Sequence, residues 1–204
     1  MRGVQPPPYI LAIAGGTASG KTTFAEVLVA RTGALLISHD RYYRDCPNAE
    51  GVNFDHPDAL ETSLLVEHLD ALRRNEPVKL PDYDFVTHRR VAGKEVQPRP
   101  IVVVEGILVL ADPALVARCD LTVFMHCPDD VRLLRRLLRD CADRGRTLRS
   151  VADQYLATVR PMHERYVAPC EAVADMVLDG LVPPEPELVR VLDVIARGVR
   201  PQRS

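Results

Sequence analysis

Residues Gly15-Gly-Thr-Ala-Ser-Gly-Lys-Thr22 follow the spacing G-x-x-x-x-G-K-[ST] in full. In that pattern glycines let the backbone curl until successive N–H groups point at one anion. The lysine bridges phosphates and stabilises the group in transfer, and the hydroxyl of the last residue is offered to Mg²⁺. Gly15, Gly16, Thr17, Ala18, Ser19, Gly20, Lys21, Thr22 and Thr23 therefore read as a cradle for a nucleoside triphosphate, with Lys21 in the chemistry and Thr22 on the metal. The pattern does not say what receives the phosphate.

Two carboxylates have the placement this chemistry needs. Glu105 follows the apolar run Ile101-Val-Val-Val104, as does the acidic end of a Walker B strand, and would hold Mg²⁺ directly or through water. Asp40 follows a shorter apolar run after the loop's helix, on the acceptor side. It would take the proton of an attacking hydroxyl, or orient that hydroxyl and help with the metal. The alternatives are a capping or loop role for Glu105 and a turn role for Asp40.

Six arginines, Arg132, Arg135, Arg136, Arg139, Arg144 and Arg146, crowd one helix and its exit. For Arg132 and Arg135 the reading is a solvated helix face. Asp143-Arg-Gly-Arg146 instead puts two guanidinium groups around a glycine, which suits a lid that closes on a triphosphate and excludes water as a competing acceptor.

The elements that must position these groups alternate. Tyr9 to Ala14 reads as a buried strand. A helix runs from Gly20 to about Arg31, with Phe24, Val27 and Leu28 on one face and Gly33 as its stop. Ala34 to Ser38 reads as a strand and Arg41 to Pro57 as a loop. Asp58-Ala-Leu-Glu61 reads as a capping box before a helix to about Arg74. Val78 to Val96 looks like a small β insert, with Ala92-Gly93 as its turn. Strands at 101–104 and 121–125 follow, then a helix from about Asp129 to Arg144 with its arginine-rich side exposed. Ser150-Val-Ala-Asp153 would cap a further helix that Pro161 kinks or splits, before a strand at 176–178 and a helix from Glu185 to Arg197. Strands alternating with helices predict an α/β fold with a doubly wound and mainly parallel sheet. The whole of 1–204 is expected to form one domain, with a β-hairpin insert at about 78–100 and an arginine-rich lid at about 136–150.

Composition narrows the class. With 26 basic against 28 acidic residues the formal charge is -2, so no global field points to nucleic acid or an anionic membrane. The five cysteines are odd in number and never spaced C-x-x-C, which argues for reduced thiols rather than a disulfide framework or zinc knuckle. Apolar stretches fall short of the roughly 20 residues a membrane span needs, and Met1 to Tyr9 lacks a signal peptide's apolar core. A soluble cytoplasmic protein, with no nucleic-acid or membrane partner, is expected.

Taken together, GGTASGKTT, His39-Asp-Arg-Tyr-Tyr43, NFDHPDAL from Asn53, YDFVTH from Tyr83, VEGIL from Val104, RDCADRGR from Arg139 and QYLATVRPMHE from Gln154 resemble uridine-cytidine kinases in order and spacing, over about residues 9–180. The resemblance implies a P-loop kinase fold with a β-hairpin insert and a lid, and transfer of the γ-phosphoryl group of ATP or GTP to the 5′-hydroxyl of uridine or cytidine, with Mg²⁺ as cofactor. It implies Asp40 as catalytic base and Tyr43 as a wall of the nucleoside pocket. Asp55 and Arg139 would hold the ribose hydroxyls; Tyr83, Phe85 and His88 would enclose the base, and Gln154 would sit on the nucleoside side. Arg136, Arg144 and Arg146 would belong to the nucleotide and lid side. Hairpin core packing is an equal reading for Tyr83 and Phe85 taken alone. Homotetrameric assembly is also implied. The chain departs from the family pattern in a shorter loop between Tyr43 and Asn53, in His126-Cys127 where an acidic residue is expected, and in Pro169-Cys-Glu171 where P-T-K is expected. Two competing readings are a P-loop kinase for another hydroxyl, such as ribulose 5-phosphate, pantothenate or nicotinamide riboside, and a nucleotide-dependent switch with no acceptor.

Overall fold

A computed structural model describes residues 6–46 and 51–198. Residues 1–5, 47–50 within the predicted loop, and 199–204 lie outside the described residues. In chain order the elements are β1 (Tyr9–Ala14), α1 (Lys21–Thr32), β2 (Leu35–Ser38), α2 (Thr62–Arg73), β3 (Val78–Asp84), β4 (Arg89–Val96), β5 (Ile101–Glu105), α3 (Pro113–Val116), β6 (Leu121–His126), α4 (Asp129–Ala142), α5 (Leu148–Gln154), α6 (Arg160–Met162), β7 (Met176–Asp179) and α7 (Pro184–Arg197).

A parallel sheet in the order β2-β5-β1-β6-β7 carries the molecule, and β3 pairs with β4 as a separate antiparallel hairpin. The apolar runs of β1 and β5 are continuous because both faces are covered. Ile10, Ala12 and Val104 look toward one core, closed by Leu65, Leu69 and Leu72 of α2. Leu11, Ile13 and Val103 look toward the other, closed by Phe24 and Leu28 of α1 and by Leu188 and Val191 of α7. The register assembles the site: Ile13 and Ser38 both pair with Glu105, so the loops leaving β1, β2 and β5 converge on one edge.

Four local expectations need correction. Asp58 lies exposed in a short 3-10 turn, and α2 begins after Glu61 without a side-chain cap, because the Glu61 carboxylate is engaged by Arg90. The hairpin turns at 85–88, not at Ala92-Gly93. There Asp84 accepts from the Val86 amide at 2.8 Å and the Thr87 hydroxyl at 2.6 Å, a side-chain-built turn. Gly93 instead sits inside β4, where a Cβ would come 1.8 Å from the Leu80 carbonyl oxygen, beside an irregularity in the pairing between Leu80 and Asp82. Thr147, not Ser150, caps α5, accepting from the Ser150 amide at 3.1 Å. Around Pro161 the helix passes through π-helical turns at Tyr155–Val159 and His163–Val167, which accommodate the missing N–H without a break.

The fourth correction concerns α4, which is inverted relative to a usual surface helix. Arg132 and Arg136 are 2% and 8% exposed and Asp140 is fully buried, whereas Leu134 and Leu138 are 61% and 72% exposed. The arginine-rich side faces inward, and Arg135 donates to the Gly180 carbonyl at 2.9 Å instead of extending into water.

Candidate active site

The loop after β1 curls into α1 through Gly20, whose φ of 97° no ordinary side chain adopts readily, and the first residue of α1 is Lys21. The Thr22 hydroxyl donates to Glu105 Oε2 at 3.1 Å, bringing the loop's last residue against the end of β5. Asp40 stands two residues past the Ser38–Glu105 pairing, and the charges of Lys21, Glu105, Asp55 and Arg144 all reach it. Burial, with help from the two carboxylates, outweighs Lys21 and raises its pKa to about 6. Asp55 is raised as well, by burial, with Arg136 opposing. Thr22, Glu105 and Asp40 offer only hard oxygen atoms, a donor set that fits Mg²⁺.

Aromatic rings line the approach from β2. The turn His39–Tyr42 leads into Tyr43, whose hydroxyl donates to the Phe54 carbonyl at 2.9 Å. Ring centroids of Tyr43 lie 5.3 Å from Phe54, 5.5 Å from Tyr83 and 6.3 Å from Phe85, and Phe54 stacks on His88 at 5.1 Å with planes 23° apart. Tyr83 is buried but Phe85 is 58% exposed, so the pair is not simply hairpin core. The Tyr83 hydroxyl and His88 Nδ1 are buried without a hydrogen-bond partner among the described residues. The hairpin is fastened over this wall by Arg90, which engages Glu61 and donates to the Tyr42 and Tyr43 carbonyls, each at 2.9 Å.

Asp140 gathers the arginines of α4 and its exit. Arg139 reaches it at 2.9 Å, Arg144 at 3.4 Å, Arg136 at 3.6 Å and Arg146 at 3.8 Å. Arg136 also donates to the Thr17 hydroxyl at 3.1 Å and to Gln154 Oε1 at 2.9 Å, and Arg146 reaches the same amide oxygen. Gln154 is thus held by two guanidinium groups, and Gly145 turns between Arg144 and Arg146 at φ 62°. Arg136 is the guanidinium whose field reaches Asp55. Arg139, paired above with Asp55 by resemblance, lines a cleft of about 370 Å³ with Ala18, Gly20, Thr23 and Asp179.

Sequence reasoning passed over Phe54, Arg90, Asp140 and Thr158, which donates weakly to Asp55 at 3.5 Å. The spacing of Arg136, Asp140 and Arg144, four residues apart on one helix face, was the available signal for Asp140. The two departures at His126 and Glu171 are one contact, since His126 Nδ1 lies 3.1 Å from Glu171 Oε1.

Known proteins bear on this geometry. The sequence model of the phosphoribulokinase/uridine kinase family matches residues 10–183. A protein from Chloroflexus aggregans named uridine kinase is 48% identical, over 85% of this chain and 87% of its own. Another of that name from Oceanobacillus iheyensis is 42% identical, over 84% and 86%. Among solved structures, phosphoribulokinase from Rhodobacter spheroides aligns with a TM-score of 0.63 over 86% of this chain and 71% of its own, at 16% identity, a likeness of fold alone. With a phosphate-binding loop at the head of a parallel sheet and these relatives across most of its length, the chain belongs to the phosphoribulokinase/uridine kinase family of phosphotransferases.

Proposed function

We propose that the protein transfers the γ-phosphoryl group of ATP or GTP to the 5′-hydroxyl of uridine or cytidine, giving UMP or CMP. The observation that carries this reading is the aromatic wall of Tyr43, Phe54, Tyr83, Phe85 and His88 on the same side as Asp40 and Asp55. A planar base stacks on such rings. The partnerless Tyr83 hydroxyl and His88 Nδ1 can answer the polar edge of a pyrimidine, and vicinal ribose hydroxyls can donate to Asp55. Arg136, beside Asp55 and Thr17, takes the ribose-side task in preference to Arg139.

In the reaction the 5′-hydroxyl oxygen forms a bond to Pγ while the bond from Pγ to the β–γ bridging oxygen breaks, and ADP or GDP leaves. Asp40 accepts the hydroxyl proton. Lys21 and the loop amides stabilise charge on the transferring group, as do Arg144 and Arg146 when the lid at about 136–150 closes. Mg²⁺, held by Thr22, Glu105 and Asp40, would neutralise phosphate charge and orient the donor. The donor base fits the cleft beside Gly20, Asp179 and Arg139. A cytoplasmic setting follows from the substrates, and among the described residues no helix is long and apolar enough to cross a membrane. Homotetrameric assembly is consistent with the exposed leucines of α4, and sedimentation would measure it.

A panel of nucleosides, with ribulose 5-phosphate, pantothenate and nicotinamide riboside as controls and each donor in turn, tests the reading. Uridine and cytidine should give the highest kcat/KM. Preference for any control compound would overturn it.

A further inference from the structure

The inward face of α4 carries a fully buried charge, Arg132, that the proposed reaction does not use. Arg132 is 2% exposed and is among the largest fully buried side chains. Its Nε donates to the Cys127 carbonyl at 3.1 Å and its Nη2 to Asp129 Oδ1 at 2.5 Å, while Nη1 is buried without a partner among the described residues. The guanidinium presses against the phosphate-binding loop: a Cβ built on Gly16 would lie 2.3 Å from Nη1 and 2.6 Å from Cζ. Only glycine leaves room for it there. His163 closes the far side, with Nε2 3.9 Å from Asp129 Oδ1. Burial, reinforced by the charge of Arg132, lowers its pKa to about 4 and so keeps the ring neutral at pH 7.

A guanidinium in this position is costly. It never loses its charge, its carboxylate partner Asp129 is 64% exposed, and an uncommitted buried N–H adds to the desolvation cost. An apolar side chain of similar length would fill the space at lower cost, so packing alone does not account for arginine. What the guanidinium supplies is a rigid planar body against Gly16 and a fixed positive potential where phosphates are bound.

We propose that Arg132 is a positioning residue for the donor's phosphates, its planar fork holding the loop at Gly16 while its charge favours the bound polyphosphate. Its hydrogen bonds go to Cys127 and Asp129, and its charge is not among those that act on Asp55, so its influence is expected on the donor more than on the acceptor. The inference rests on the phosphotransferase reading of the loop and is independent of which nucleoside is phosphorylated.

The test combines calorimetric binding of ADP with separate donor and acceptor KM values in wild type, Arg132→Met and Arg132→Lys, with circular dichroism as a check on folding. Arg132→Met should weaken ADP binding about tenfold or more, the scale of one charge-assisted hydrogen bond lost, and raise the donor KM in parallel. The acceptor KM should stay within about twofold. Arg132→Lys keeps the charge but not the fork and should weaken ADP about threefold or more. If the methionine variant does not fold, the lysine variant decides. ADP affinity within about twofold of wild type in the folded variants would overturn the proposal, as would equal losses for donor and acceptor, the signature of a merely structural role. Wild-type protein that fails to bind ADP would instead refute the phosphate-loop reading itself.

Discussion

Replacing Asp40 with asparagine should make the protein more stable and nearly inactive at once. Burial raises the Asp40 pKa from 3.8 to about 6, with Glu105 and Asp55 adding to the effect and Lys21 and Arg144 opposing it. A folded-state pKa above the unfolded one means the native state binds more protons between pH 3.8 and 6. Stability therefore rises as pH falls through that window, and above pH 6 the ionised carboxylate is a burden. The gap corresponds to about 3 kcal/mol at most. Residual solvent access reduces this, so Asp40→Asn should gain about 1–3 kcal/mol at pH 8, or about 2–12 °C in Tm for a chain of this size. Near pH 4 the wild-type carboxyl is already neutral and the gain should vanish. Turnover should meanwhile fall by about 10²–10⁴, because the amide cannot accept the hydroxyl proton. Thermal melts of both proteins in EDTA at pH 8 and pH 4, beside kcat measurements, check each part. A variant that is destabilised equally at both pH values would refute the buried-charge argument. Retained kcat would refute the role as base.

Three further outcomes follow from the geometry. Lys21→Ala should lose most turnover while its far-UV circular dichroism stays unchanged, since Lys21 belongs to neither core. Phe54→Ala removes the ring stacked on His88 and should raise the nucleoside KM about two- to tenfold, consistent with about 0.5–1.5 kcal/mol for an aromatic pair, with the donor KM unchanged in the same assay. His126→Asp should lower stability by up to about 1 kcal/mol by facing Glu171 with a like charge, and adding Glu171→Lys should restore it, as denaturant midpoints would report.

The sheet was legible because its strands are continuous apolar runs bounded by glycine or by the carboxylates that matter, and the phosphate-binding loop because its spacing is itself the mechanism. Register was not legible. Nothing in Leu35–Ser38 states that Ser38 pairs with Glu105, yet that pairing brings Asp40 to the site. The hairpin turn is not legible either: glycine at 93 suggests a bend, whereas its backbone packs against Leu80 and the Asp84 side chain builds the turn. Helix α4 shows the limit most clearly. Its two faces separate cleanly in the sequence, but assigning the polar face to water fails where that face packs against the phosphate-binding loop and the buried Asp140. Arg132 and Arg136 are buried against Asp129, Asp140 and Thr17, partners that the spacing within one helix shows only in part. The departures at His126 and Glu171 looked independent, 45 residues apart, and only the fold makes them neighbours.

The central claim, that this chain phosphorylates the 5′-hydroxyl of a pyrimidine ribonucleoside, is tested most directly by ³¹P nuclear magnetic resonance of the product formed from ATP, Mg²⁺ and uridine. A phosphomonoester resonance coupled to the 5′-methylene protons, appearing in step with ADP, is the predicted result. ADP and inorganic phosphate without UMP, or a phosphate on the 2′- or 3′-oxygen, would contradict it.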